Sequence, residues 1–253
     1  MTTQPALLSQ LAIVLVRPKY AGNIGATARI AWNMGISRLI IVGDELPERE
    51  AMAQMATHKA AHLIDNLKLH TTLEEALSPY SIIVGTTARR GRQRIIEKSP
   101  REIVEAVLPQ LSNNKAALIF GPEDSGLTNE DLKHCHFLSA IPTADFSSLN
   151  LAQAVAIHCY EFYYGLVHLQ KDIMPAPRLA SSFELESMYS YLEESLTRIE
   201  FMGEKSRIYW MNNIRHFFAQ TTLSSKDTNI IRRVCKKFLL NFKPQDTKDE
   251  SDL

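Results

Sequence analysis

Over its first two thirds, this chain alternates short runs of Val, Ile, Leu and Phe with longer stretches that carry helix start and stop signals, and that alternation limits the folds open to it. Runs at 12–16, 38–42, 81–86, 116–120 and 137–141 are strand candidates, with helical patterns between them. This order predicts an α/β domain built on a mainly parallel sheet. Ser99 followed by Pro100 sets an N-cap and a first helical position, and Glu102 in the first turn suits the helix dipole. Thr128 and Asp131 have the spacing of a capping box, with Asp in place of Glu. Gly35 is placed to end a helix that opens near Ile24, and a long apolar helix is expected over 149–169.

The pattern changes after that helix. Residues 171–182 contain Pro175 and Pro177 and read as a linker. Beyond them, 183–199, 205–220 and 226–242 are predicted helices, with Ser224 or Ser225 as the cap of the last. The expected organisation is a domain over 1–170, a linker over 171–182, a small all-α module over 183–243 and a polar tail over 244–253.

A chain of 253 residues buries enough surface to need no disulfide or metal staple. Cys135, Cys159 and Cys235 stand far apart, without a C-x-x-C pair, and are read as small buried hydrophobes. The longest apolar run near the N-terminus, six residues over 11–16, is far short of the about 20 that a membrane helix requires. No targeting segment is visible, so no membrane partner is expected and the cytoplasm is the expected location.

The 28 Lys and Arg balance 28 Asp and Glu, yet the charge is unevenly spread. Residues 205–243 hold nine cations (Lys205, Arg207, Arg215, Lys226, Arg232, Arg233, Lys236, Lys237 and Lys243) against Asp227 alone, a formal +8. Residues 89–101 hold Arg89, Arg90, Arg92, Arg94, Lys98 and Arg101 against Glu97, a formal +5. Two such runs in a neutral protein are either solvated faces or phosphate-binding surfaces.

Ligands of open α/β sheets bind beyond the carboxyl ends of the strands, and three of the loops there are unusual. Tyr20-Ala-Gly-Asn-Ile-Gly-Ala-Thr-Ala-Arg29 places two glycines around Asn23 at a helix start, either as a turn capped by Asn23 or as a site. It lacks the G-x-G-x-x-G of a dinucleotide fold. Gly121-Pro-Glu-Asp-Ser-Gly126-Leu-Thr128 has the glycine spacing of a phosphate loop, but Leu127 stands where that loop needs lysine, which excludes nucleotide hydrolysis of that type. In Ile141-Pro-Thr-Ala-Asp-Phe-Ser-Ser-Leu-Asn-Leu151, Ser147, Ser148 and Asn150 crowd a helix start where one cap would suffice. His134, His136 and His158 do not have metal-ligand spacing, so no metal is expected. Tyr160, Phe162, Tyr163 and Tyr164 read as core or subunit interface rather than as a base-stacking platform.

Taken in order, these segments resemble the motifs of the SPOUT superfamily of knotted methyltransferases, and within it the TrmJ-type tRNA ribose 2'-O-methyltransferases. The resemblance is carried by Asn23-Ile-Gly-Ala-Thr-Ala-Arg29 with Asn33-Met-Gly35, by Gly85-Thr-Thr-Ala-Arg-Arg90, by Ile119-Phe-Gly-Pro-Glu-Asp-Ser-Gly-Leu-Thr128, and by Ile141-Pro followed by Ser147-Ser-Leu-Asn-Leu151. It covers residues 10–170 strongly, and the helical tail more weakly through Asn213-Ile-Arg-His-Phe-Phe218 and Asn229-Ile-Ile-Arg-Arg233. Two departures bear on substrate choice: Val16-Arg-Pro-Lys-Tyr20 is more basic than the family pattern, and Pro122 replaces a commonly basic residue.

The resemblance implies a SPOUT α/β fold with a C-terminal trefoil knot, S-adenosyl-L-methionine as cofactor, a homodimer, and tRNA as substrate at the cytidine or uridine of position 32 in the anticodon loop. It implies Arg29, Asn23, Glu123, Ser148 and Asn150 as the catalytic group. The cofactor would lie against Thr86, Thr87, Ala88, Gly121, Ile141, Ser148, Leu149 and Asn150. RNA would be gripped by Arg89, Arg90, Arg92 and Arg94, and by Lys205, Arg207, Arg215, Arg232, Arg233, Lys236 and Lys237. Two alternatives are ribosomal RNA as substrate and a non-catalytic RNA-binding or assembly protein. The second has no need of the five catalytic residues together.

Overall fold

The computed structural model describes residues 5–88, 97–168, 176–219 and 221–242. The chain forms two compact units, Met1–Phe183 and Glu184–Leu253.

In the first unit, α1 (Pro5–Leu8) leads into β1 (Leu11–Val16), and the sheet is completed by β2 (Arg38–Val42), β3 (Lys68–His70), β4 (Ile82–Thr86), β5 (Glu97–Lys98), β6 (Ala116–Phe120) and β7 (Phe137–Ser139). The order is β3-β2-β1-β6-β4-β7-β5, and every pairing among the described residues is parallel. The apolar runs are continuous because both faces of a parallel sheet are covered. Alternation of side chains sends Leu11, Ile13, Leu15, Leu118 and Phe120 into one core, while Ala12, Val14, Val16, Ala117 and Ile119 enter the other.

The helices of this unit are α2 (Ala21–Asn33), α3 (Arg49–Asp65), α4 (Leu73–Leu77), α5 (Pro100–Val107), α6 (Asn129–Leu132) and α7 (Leu151–His168). Both capping boxes expected from sequence are present, Ser99 with Glu102 on α5 and Thr128 with Asp131 on α6. Gly35 follows the end of α2 at φ 71°, with Gly35 N–H donating to Trp32 O (3.1 Å) and Ile36 N–H to Ala31 O (2.9 Å), a Schellman closure. The start of α2 corrects the sequence reading: it opens at Ala21, not near Ile24, so Asn23 lies in the first turn and does not cap it. Gly25 lets α2 meet α3 backbone to backbone, since a Cβ there would stand 1.9 Å from Met52 O.

The stretch expected to be a free linker is tied to this unit over its described part. Ala176 N–H donates to Ser112 Oγ (3.0 Å), Asn113 Nδ2 to Ala176 O (2.7 Å), Asn114 Nδ2 to Pro177 O (2.9 Å), and Leu179 N–H to Asn114 Oδ1 (2.8 Å). This described part docks because Asn113 and Asn114 satisfy its extended backbone, and Ala180 is buried.

The second unit comprises most of α8 (Ser182–Arg198) with α9 (Arg207–Ala219) and α10 (Ser225–Asn241). Met188, Tyr189, Met202 and Met211 form its core. Ser224 caps α10 in a reciprocal box with Asp227.

Candidate active site at the carboxyl ends of the strands

β6, β4 and β7 lie side by side, so the loops that leave them converge at one edge of the sheet. A cavity opens there, where ligands of such sheets bind. Thr86, Thr87 and Ala88 line it after β4, residues 121–127 after β6, and Ile141 with Ser147, Ser148 and Leu149 after β7. Of the residues assigned to a cofactor from sequence, seven are gathered on this wall: Thr86, Thr87, Ala88, Gly121, Ile141, Ser148 and Leu149. Asn150 is not among its lining residues. Its Oδ1 accepts from Ala152 N–H (2.9 Å) and Gln153 N–H (3.4 Å), so Asn150 caps α7.

That cap is also part of a network joining the three loops. Asn150 Nδ2 donates to Asn23 Oδ1 (3.1 Å), and Asn23 Nδ2 donates to Glu123 Oε1 (2.7 Å). Glu123 further accepts from Lys19 N–H (2.9 Å) and Tyr20 N–H (3.4 Å). Tyr20 is the N-cap residue of α2 and makes no side-chain cap; the Glu123 carboxylate, from a distant loop, accepts from the N–H of Tyr20 and of the residue before it and meets the positive end of the helix. Arg29 lies further along α2, exposed, and makes no hydrogen bond or ion pair among the described residues. Ser147 and Ser148 are exposed on the cavity wall.

The basic segment before α2 is accounted for by one acid of the second loop and one of α6. Arg17, at φ 51°, pairs with Asp131, and Lys19 Nζ pairs with Asp124 Oδ2 (2.5 Å). Burial works to raise the Asp131 carboxyl, but the donors of Arg17 and Thr128 outweigh it and hold the group below the ordinary carboxylate range. The hydrogen bond from Lys19 lowers Asp124 likewise.

Sequence reasoning left His158 unassigned as a surface or core histidine, and missed Ser139. His158 is 1% exposed and borders the cavity with Phe120 and Ser139. Its Nδ1 lies 2.9 Å from Ala154 O, which can only accept, so Nδ1 carries the proton. The bare Nε2 then accepts from the Ser139 hydroxyl at 2.9 Å. Burial pushes this imidazole down to about 4, so it is neutral near pH 7. The three cysteines are buried, and burial raises the Cys135 and Cys159 thiols, as expected of core residues rather than nucleophiles. Among the described residues no cluster could hold a metal, and no helix is long and apolar enough to cross a membrane.

The basic residues divide. Arg89, Arg90, Arg92 and Arg94 lie outside the described residues. Arg215 departs from its expected role: it is half-buried, forks onto Glu186 (2.5 and 2.6 Å) and lies over the Tyr189 ring at 4.4 Å, so it holds the helical unit together. Arg207 pairs with Glu193, and Arg232 is half-buried over Tyr191. These pairings use acids of α8, which a count begun at residue 205 omitted. Lys205, Arg233, Lys236 and Lys237 are exposed, the last three spaced to share one face of α10.

Comparison with known proteins gives a consistent picture. Residues 10–160 match the model of the SpoU rRNA Methylase family, and residues 183–249 match that of the tRNA methyltransferase TrmJ C-terminal domain. The tRNA (cytidine/uridine/adenosine-2'-O-)-methyltransferase TrmJ of Pseudomonas aeruginosa (strain UCBPP-PA14) is 35% identical over 241 residues, covering 90% of this chain and 93% of that protein. The tRNA (cytidine/uridine-2'-O-)-methyltransferase TrmJ of Salmonella choleraesuis (strain SC-B67) is 34% identical, covering 90% and 96%. The crystal structure of TrmJ from Z. mobilis ZM4 superposes with a TM-score of 0.78 at 26% identity, covering 90% of this chain and 98% of that one. The chain belongs to the SpoU rRNA methylase family and carries, after the methylase domain, the C-terminal domain of the TrmJ tRNA methyltransferases.

Proposed function

We propose that this protein transfers a methyl group from S-adenosyl-L-methionine to a ribose 2'-hydroxyl of tRNA. The observation that carries the reading is the Asn150–Asn23–Glu123 network beside the cavity, with the exposed Arg29, which has no ion pair among the described residues, on the same helix as Asn23. The cavity fits the cofactor by its chemistry. Phe120, Ile141, Leu149 and Leu151 offer apolar walls to a flat base, and the Glu123 carboxylate at the same cavity suits a cationic sulfonium. Bound there, the cofactor would supply an electrophilic methyl group on a sulfonium sulfur whose positive charge is lost on transfer.

The chain's own residues have to orient the ribose and ease loss of its proton, which is mainly proximity catalysis. A guanidinium stays protonated in proteins, so Arg29 is not a conventional base. It binds the phosphate next to the reacting ribose and stabilises the developing alkoxide. Glu123 fixes Asn23 and the start of α2, which in turn sets where Arg29 stands. Ser148 lines the reacting end, and Asn150 locks the third loop to the first. Thr86, Thr87, Ala88, Gly121, Ile141 and Leu149 hold the cofactor. The exposed cations Lys205, Arg233, Lys236 and Lys237 add affinity for phosphates, joined by Arg89, Arg90, Arg92 and Arg94. The family's trefoil knot, around the third loop, belongs to the same reading.

A homodimer is part of the proposal. Tyr160, Tyr163, Tyr164 and Val167 recur at i, i+3, i+4 and i+7 on α7 and are all exposed, whereas Phe162 enters the core. An aromatic stripe of this kind suits a second copy of the chain. Light scattering at micromolar concentration tests it, and a monomer refutes it. The activity is tested by mapping ribose methylation in total RNA from a deletion strain, together with calorimetric titration of the cofactor in the absence of RNA. An unchanged methylation map and no cofactor binding refute the reading.

A further inference from the structure

Two exposed aromatic residues stand close in sequence to members of the network. Tyr20 is 63% exposed, although its backbone N–H is bonded to Glu123. Phe146, four residues before Asn150, is 80% exposed, more than any other large apolar side chain among the described residues. Neither ring stacks on another aromatic ring there. Isolated exposed apolar residues are ordinary, but these two sit on the two loops that Asn23 and Asn150 join. Tyr20 also closes the segment that departs from the family pattern, and with Arg17 and Lys19 held by acids its ring is left facing solvent.

The covalent structure of a nucleotide supplies the occupant. The 2'-oxygen and the base hang from adjacent ribose carbons, so a ribose delivered to the network carries its base to the residues beside it. To enter, that nucleotide must leave the stack of its neighbours, and single-stranded RNA bases are commonly held on aromatic side chains in compensation. We propose that Tyr20 and Phe146 together hold the unstacked base of the methylated nucleotide. This rests on the reading of the site as a ribose 2'-O-methyltransferase. Stacking is tolerant of base identity, because every base has a π-face, so these rings confer grip rather than choice of one base.

The test uses the full-length protein and a tRNA transcript that it methylates, alongside the same transcript with an abasic ribose at the methylated position. Tyr20→Leu and Phe146→Leu keep apolar bulk and remove the ring; Tyr20→Phe and Phe146→Trp keep a ring. On the intact transcript each Leu variant should raise KM about tenfold, because one face of the base is left without a stacking ring. The ring-keeping variants should stay near wild type. On the abasic transcript, wild type and Leu variants should share one KM. Calorimetry without RNA should give the same cofactor affinity for all of them. An unchanged KM on intact RNA, an equal loss on abasic RNA, or a Leu variant that loses the cofactor would each overturn the proposal. A wild-type protein that neither binds S-adenosylmethionine nor methylates RNA is a distinct result, and it overturns the underlying reading and this proposal with it.

Discussion

Acidification should destabilise this protein through two imidazoles that burial holds neutral, His136 and His158, and the share of His158 can be isolated. His158 has a pKa of about 4 when folded, against 6.5 for the exposed side chain. Because the folded value is the lower one, the unfolded chain binds the proton first. The stabilisation is therefore fully present above pH 6.5 and is lost as pH falls from 6.5 towards 4. Each pH unit in that window removes about 1.4 kcal/mol, so going from pH 7 to pH 5 should cost roughly 2 kcal/mol from this group alone. The perturbation is His158→Gln, which cannot titrate. At pH 7 the variant should be less stable than wild type, by on the order of 1 kcal/mol, because the bonds to Ala154 O and Ser139 Oγ are altered. At pH 5 that deficit should vanish or reverse. Urea unfolding followed by circular dichroism at pH 7, 6 and 5 gives both curves, and titrations common to the two proteins cancel in their difference. Parallel curves across this range would show that His158 is protonated equally in both states, and the buried, neutral imidazole would be wrong.

Four further outcomes follow from named residues. Arg29→Ala should leave calorimetric cofactor affinity nearly unchanged while lowering methyl transfer by at least about a hundredfold, and loss of cofactor binding in a folded variant would place Arg29 wrongly. Gly25→Ala should cost about 1–3 kcal/mol in urea unfolding, because its Cβ would stand 1.9 Å from Met52 O and α2 must move off α3; a variant of wild-type stability would refute that packing. A fragment ending at Phe183 should fold and bind cofactor, but bind tRNA more weakly and with a salt slope shallower by about 0.7–0.9 for each phosphate that is no longer neutralised. A fragment ending at Lys171 should be less stable than the longer one, by roughly 1 kcal/mol for each bond from Ser112, Asn113 and Asn114 that it forfeits; equal stability would show that 176–182 adds nothing.

The departures from expectation share a direction. Ser99 with Glu102 and Thr128 with Asp131 were legible because a capping box is closed within one turn of chain. Gly35 was legible for the same reason. β3 and β5 were not, being three and two residues long and polar, with no apolar alternation. They are strands only because β2 and β7 offer them partners. Local pattern left Asn23 open between a helix cap and a site, because asparagine at a helix start suits either; its partners, Glu123 and Asn150, are 100 and 127 residues away.

The sequence by itself determined the α/β class, five of the seven strands, the three loops that carry the chemistry and a basic helical tail, because these follow from side-chain period, capping and composition. Only the tertiary structure decided which cations are free and which are spent on acids, as Arg17 on Asp131 and Arg215 on Glu186, and that His158 is buried and neutral. The physical reason is that such facts depend on which strands become neighbours. The placement of β6 between β1 and β4 brings the loops of residues 17–20 and 121–127 together, and no local pattern records that order.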